Sequence, residues 1–115
     1  MHELSLMEGV VGIILEAQNQ HGFQKVNRIV LEIGELAGVE REALEFCWEV
    51  VAKDTPAEGA SLELRDVPAA AWCGTCVGEV PVHSRIDLCP GCGGVLERIL
   101  RGLDLQVKTL DVDPG

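Results

Sequence analysis

Two C-x-x-C pairs, Cys73-Gly74-Thr75-Cys76 and Cys89-Pro90-Gly91-Cys92, put four thiols on two short turns of one chain. Four thiolates are enough to saturate a tetrahedral zinc ion, at Zn–S distances of about 2.3 Å. Two cysteines three positions apart reach one ion only where the backbone turns sharply, and glycines at 74, 91, 93 and 94 supply that freedom. Residues 77–88 separate the pairs, fewer than the roughly 15–20 of many two-knuckle sites, so a short connecting ribbon is expected. Four cysteines leave no coordination position for water, which argues against a hydrolytic zinc enzyme. The same ligands could hold iron in a rubredoxin-like electron carrier. A disulfide scaffold or a redox dithiol pair fits less well. There is a fifth cysteine, Cys47, and the opening MHELSLMEGV begins with an acid where a secretory leader has a basic segment. The expected compartment is therefore the reducing cytoplasm, where paired cysteines usually hold metal.

The other end of the chain offers different donors. Met1-His2-Glu3 places an α-amine, a backbone amide and an imidazole in sequence. Folding the His2 side chain back would close two chelate rings through three nitrogens. Tetragonal Ni²⁺ or Cu²⁺ gains most from such a set, and zinc, with no comparable geometric preference, gains less.

Lys and Arg number 9 against 19 Asp and Glu, a net charge of −10, and aromatic residues are 3% of the chain. A nucleic-acid ribbon needs a basic face and stacking platforms, so this composition disfavours one. An acidic chain suits cations and basic partner surfaces instead. At 115 residues and 47% hydrophobic, one modest core can form, and no apolar run approaches the roughly 18 residues of a membrane span.

The elements that position these groups read as α+β. Leu4, Met7, Val10 or Val11, and Ile14 recur at helical spacing, with Leu6, Ile13 and Leu15 widening the stripe, so a core-facing helix is expected from Leu4 to about Gln20, stopped at His21-Gly22. Ile29, Leu31 and Ile33 alternate with Arg28, Val30 and Glu32 as a strand ending at Gly34. A second helix runs from about Arg41 to Lys53, with Leu44, Cys47, Trp48 and Val51 on one face, and ends at Asp54-Thr55-Pro56. Leu62 and Leu64 mark a second strand running to Val67-Pro68, and Leu103, Leu105 and Val107 a third at the C-terminus. The fold expected is two helices on a small, about three-stranded sheet, with the four-cysteine zinc-ribbon unit inserted between strands. Cys47 reads as a small buried hydrophobe, His83 as a surface or packing residue, His21 as a cap or solvent-facing group, and Glu40, Glu42 and Glu45 as a solvated acidic helix start.

Met1-His2-Glu3-Leu4-Ser5, Val30-Leu31-Glu32-Ile33-Gly34-Glu35-Leu36, Ala57-Glu58-Gly59-Ala60 and the paired cysteines, in this order, closely resemble the HypA/HybF family of hydrogenase maturation nickel metallochaperones. The resemblance spans nearly the whole chain. It implies a non-enzymatic protein that binds Ni(II) for transfer and Zn(II) for structure. Nickel would sit on His2 with the Met1 backbone amine, and Glu3 and Glu40 would be candidate supporting groups. Cys73, Cys76, Cys89 and Cys92 would be the zinc ligands. Residues 1–67 with 102–115 would form the nickel-binding domain and 68–101 the zinc-binding domain. The implied partners are a HypB-like GTPase that inserts nickel, the [NiFe]-hydrogenase large subunit and, in some bacteria, urease accessory proteins, the chain being a monomer or weak homodimer. The alternative is a zinc-ribbon adaptor for protein or nucleic acid.

Overall fold

The computed structural model describes residues 2–114, in the order α1 (Glu3–His21), β1 (Lys25–Gly34), α2 (Arg41–Val51), β2 (Ser61–Val67), β3 (Ala70–Cys73), β4 (Gly78–Pro81), β5 (Arg98–Arg101) and β6 (Leu105–Asp113). Two three-stranded sheets form, ordered β2-β1-β6 and β4-β3-β5. The C-terminal strand thus returns to the sheet of the first two, and the cysteine-bearing segment lies between them in sequence, as the alternation pattern implied. No helix is long and apolar enough to cross a membrane among the described residues.

The chain divides into two compact units, one of residues up to Leu31, Val39–Leu64 and from Val107 on, the other of Glu32–Gly38 and Arg65–Gln106. In the first, Met7, Val10, Val11 and Ile14 of α1 are buried, as are Leu44 and Trp48 of α2. Gly22 takes the left-handed conformation (φ 71°) that ends α1, its N–H donating to Gln18 O at 2.8 Å. The α1 stripe is narrower than its sequence suggests: Leu4, Ile13 and Leu15 are 45–50% exposed. A helix packed on one side buries only one face, and those three positions lie beyond its edge. β1 departs from the expected alternation in the other direction. It starts earlier, at Lys25, and Val30 is buried with Ile29, Leu31 and Ile33, so this central strand is covered on both faces over these positions. Cys47 is half-buried rather than fully enclosed.

The second unit is built on a much smaller core. Ala69, Ala71 and Val82 are fully packed, with Leu36, Leu96 and Ile99 half-buried against them. β3 pairs antiparallel with β4, Ala70 opposite Pro81 and Cys73 opposite Gly78, and on its other side with β5. The Arg101 guanidinium spans to both oxygens of Glu79 at 2.7 and 2.8 Å, and Arg98 lies 5.8 Å over the Trp72 ring. Three backbone segments meet where this unit is tied together. Leu36 N–H donates to Gly102 O (2.8 Å), Glu35 N–H to Val67 O (2.9 Å) and Gly34 N–H to Asp104 O (2.8 Å). A Cβ on Gly34 would stand 2.3 Å from the Gly102 carbonyl, and a Cβ on Gly102 (φ 93°) would stand 2.5 Å from Ala69 Cα. Since the obstacles are main chain, no side-chain rotation relieves them. Gly102→Ala is expected to cost about 3 kcal/mol or more in a denaturant titration. Gly9→Ala on α1, where a Cβ meets nothing within 4 Å, should stabilise by about 0.5–1 kcal/mol. A neutral Gly102→Ala would show that these segments do not pack so closely.

Candidate metal centre

The first knuckle closes the β3–β4 turn, and the second follows the loop after β4, so short main-chain excursions bring all four sulfurs together. Cys73, Cys76, Cys89 and Cys92 place their Sγ atoms within 4.8 Å of one another, Cys73 to Cys92 at 3.6 Å and Cys76 to Cys89 at 3.9 Å. A tetrahedron with metal–sulfur bonds of about 2.3 Å has edges of about 3.8 Å, so the cluster has the size that zinc requires. Cys73 and Cys89 are buried while Cys76 and Cys92 are exposed, which leaves one side of the cluster open to solvent. Cys76 N–H donates to Cys73 Sγ and Gly91 N–H to Cys89 Sγ, each at 3.4 Å. Such contacts favour thiolate over thiol. The Cys89 thiol is pulled down to about 7, first by the Cys92 backbone N–H. Cys76 is pushed up to about 12 by hydrogen bonding with Cys92, Cys89 and Cys73. Four thiols this close cannot all ionise without a cation between them, so metal uptake must release protons. At the turn positions after the pairs, Val77 (φ 53°) and Gly93 (φ 73°) both adopt left-handed backbone, so the two knuckles share a geometry although only one uses glycine there.

A second chemistry-bearing group lies at the start of α1. His2 is exposed, and its carbonyl accepts the Leu6 N–H at 2.9 Å, closing the first helical turn. The Met1 amine expected beside it lies outside the described residues. Glu3 is turned inward, 8% exposed, and its Oε2 accepts the Glu40 N–H at 3.2 Å. The starts of α1 and α2 are thereby brought together, with Glu40 capping α2 by its backbone and its side chain free of any capping bond to α2. Of the four residues expected at this end, His2, Glu3 and Glu40 thus fall at one corner of the first unit.

One pair was not legible in the sequence. Glu35, just past β1, accepts the Ala69 N–H through Oε1 (3.1 Å) and meets His83 Nδ1 through Oε2 (2.6 Å). Asp87 caps the same loop, accepting the His83 and Ser84 N–H groups at 2.7 and 3.2 Å. His83 is therefore an exposed, ion-paired residue outside the thiol cluster. Its contact with Glu35 raises the imidazole above its ordinary 6.5, and the same contact, with the Ala69 N–H, lowers the Glu35 carboxyl below 4.5. Folding raises the histidine, so its contribution is complete below the unfolded value of about 6.5 and is lost as pH climbs through the native one. Folding lowers the glutamate, so its contribution is present above the unfolded value and is lost as pH falls through the native one. The bridge stabilises most between about 4.5 and 6.5, and only modestly, since the His83 side chain is 77% exposed. In Glu35→Gln the His83 pKa should fall toward its ordinary value in an NMR titration. An unchanged titration would mean that the pair does not form in solution.

Residues 1–112 match the model of a family described as "Hydrogenase/urease nickel incorporation, metallochaperone, hypA". The hydrogenase maturation factor HypA of Azoarcus sp. (strain BH72) is 47% identical over 96% of both chains. That of Beijerinckia indica is 47% identical over 97% of this chain and 99% of its own. The solution structure of the Ni metallochaperone HypA from Helicobacter pylori superposes over all of both chains with a TM-score of 0.78 at 19% identity, a likeness of fold. The span of the family match and the identity to these relatives, together with the four-thiol cluster, show that this chain belongs to the HypA family of nickel-incorporation metallochaperones.

Proposed function

We propose that this protein carries Ni(II) at its N-terminus and passes it to the large subunit of [NiFe]-hydrogenase during maturation, with urease as a second acceptor reached through its accessory proteins. The nickel donors are the His2 imidazole, the His2 backbone nitrogen and the Met1 amine, with Glu3 and Glu40 at the same corner. Zinc on Cys73, Cys76, Cys89 and Cys92 is structural. A HypB-like GTPase is the partner in insertion, the setting is the cytoplasm, and no reaction is catalysed.

The observation that carries this reading is that two different donor chemistries belong to different units of the chain. Four thiols can saturate a tetrahedral ion within a lobe whose hydrophobic cluster is built on the small side chains of Ala69, Ala71 and Val82, whereas His2 stands exposed at the start of α1. An ion at an exposed nitrogen site has positions that an acceptor's ligands can reach one at a time, which suits cargo. The buried Cys73 and Cys89 suit permanent retention. Glu3, held by the Glu40 N–H, ties the start of α1, where His2 stands, to the start of α2. Because Cu²⁺ outcompetes Ni²⁺ at nitrogen donors, selectivity rests on metal supply and on docking.

Transfer is tested by mixing nickel-loaded protein with nickel-free hydrogenase large subunit in excess chelator, then measuring nickel on the separated large subunit. Faster loading than from an equal amount of free nickel is expected. Equal loading from both sources would refute delivery.

A further inference from the structure

The first unit leaves apolar surface uncovered beside the N-terminus. Phe46 is 68% exposed and Val50, one helical turn later on α2, is 55% exposed. The chain has two Trp and two Phe. Trp48 and Phe23 are each 5% exposed, whereas Phe46 stands in solvent. A groove of about 400 Å³ runs next to it, lined by Leu4, Glu8 and Val11 of α1 and Val50 and Val51 of α2. Leu4, 46% exposed, is two residues from His2. An aromatic anchor next to an apolar groove is a common centre of binding energy, and large exposed apolar side chains clustered this way mark contact surfaces.

Charge selects the occupant. Glu8 lines the groove, and the exposed Glu42 and Glu49 lie one helical turn to either side of Phe46 on α2, while Arg41 is the one arginine or lysine of the two helices. Two copies of this chain meeting through the groove would bring these carboxylates together. We infer that the α1–α2 groove is a docking surface for an amphipathic helix of a partner protein, with an apolar seam that seats on Phe46, Val50 and Leu4 and lysines or arginines on its flanks. The seam supplies the burial and the basic flanks steer and orient the helix against the acidic rim. A partner so seated lies alongside the residues that follow His2. The docking surface itself stands whether or not His2 holds nickel.

The probe is a synthetic amphipathic helix of about 18 leucines and lysines, compared with a scrambled peptide of the same composition at about 150 mM salt, which screens simple charge attraction. Wild type should prefer the amphipathic peptide at least about tenfold. Phe46→Glu with Val50→Glu should abolish the preference, and Phe46→Ala alone should reduce it, with circular dichroism and zinc content unchanged. Nickel content measured on the same samples separates a lost metal site from a lost docking face. Equal binding of the two peptides, or a preference that survives both variants, would overturn the inference. Concentration-dependent dimerisation abolished by these variants, without peptide preference, would overturn it by assigning the groove to a second copy.

Discussion

Replacing His2 with alanine is expected to weaken nickel binding at least about a hundredfold, a loss of about 2.7 kcal/mol, while zinc content stays at the wild-type level. The reason is chelation: the imidazole closes one of the two rings, and alanine offers nothing in its place. His2 is exposed and contributes its carbonyl, not its side chain, to the first turn of α1. The substitution should therefore leave helix content unchanged, so that a fall in nickel reports on ligation and not on folding. Isothermal titration with nickel, paired with elemental analysis for zinc, makes the comparison. Equal nickel affinity in wild type and His2→Ala would remove His2 from the site.

A second large effect is expected at the thiol cluster. Cys73→Ala should abolish zinc binding and melt β3, β4 and β5, because structural zinc supplies on the order of 10–16 kcal/mol in small metal-dependent folds. The second unit has little to set against that loss. Its hydrophobic cluster rests on Ala69, Ala71 and Val82, and much of its remaining burial is Cys73 and Cys89 themselves, whereas the first unit draws on Met7, Ile14, Ile29, Leu31, Leu44 and Trp48. Amide hydrogen exchange should therefore show residues 70–101 unprotected, while α1, β1 and α2 stay protected. A Cys73→Ala protein with normal zinc and a protected β3 would refute the assignment.

The two knuckles were the most legible part of the molecule, because three-residue spacing on a tight turn is a local constraint; of the four glycines expected to supply left-handed backbone there only Gly93 does so, and Val77 takes that conformation in the first knuckle. The helices were legible through Met7, Val10, Val11 and Ile14 and through Leu44 and Trp48, whose spacing is helical and whose burial follows. What the sequence concealed is non-local. The second sheet depends on β5 returning to β3 across the second knuckle, and Arg98–Arg101 has no alternation of its own that marks a partner strand. The Glu35–His83 contact joins residues 48 positions apart, and neither neighbourhood signals the other. Leu4, Ile13 and Leu15 have the hydrophobicity of core positions, and only the placement of the neighbouring elements decides that they remain at the surface. The breadth of an apolar stripe thus overstated the core where it widened the contact face.

The proposed nitrogen chelate requires a free α-amine at Met1, and this gives the most direct test. Wild type with an authentic N-terminus, and a version carrying one extra residue ahead of Met1, are dialysed against nickel and zinc together and analysed for both metals. One nickel and one zinc per chain for wild type, with zinc alone for the extended version, is the predicted result. Nickel retained in full by the extended protein would contradict the account, since the chelate as drawn cannot form once that amine is an amide.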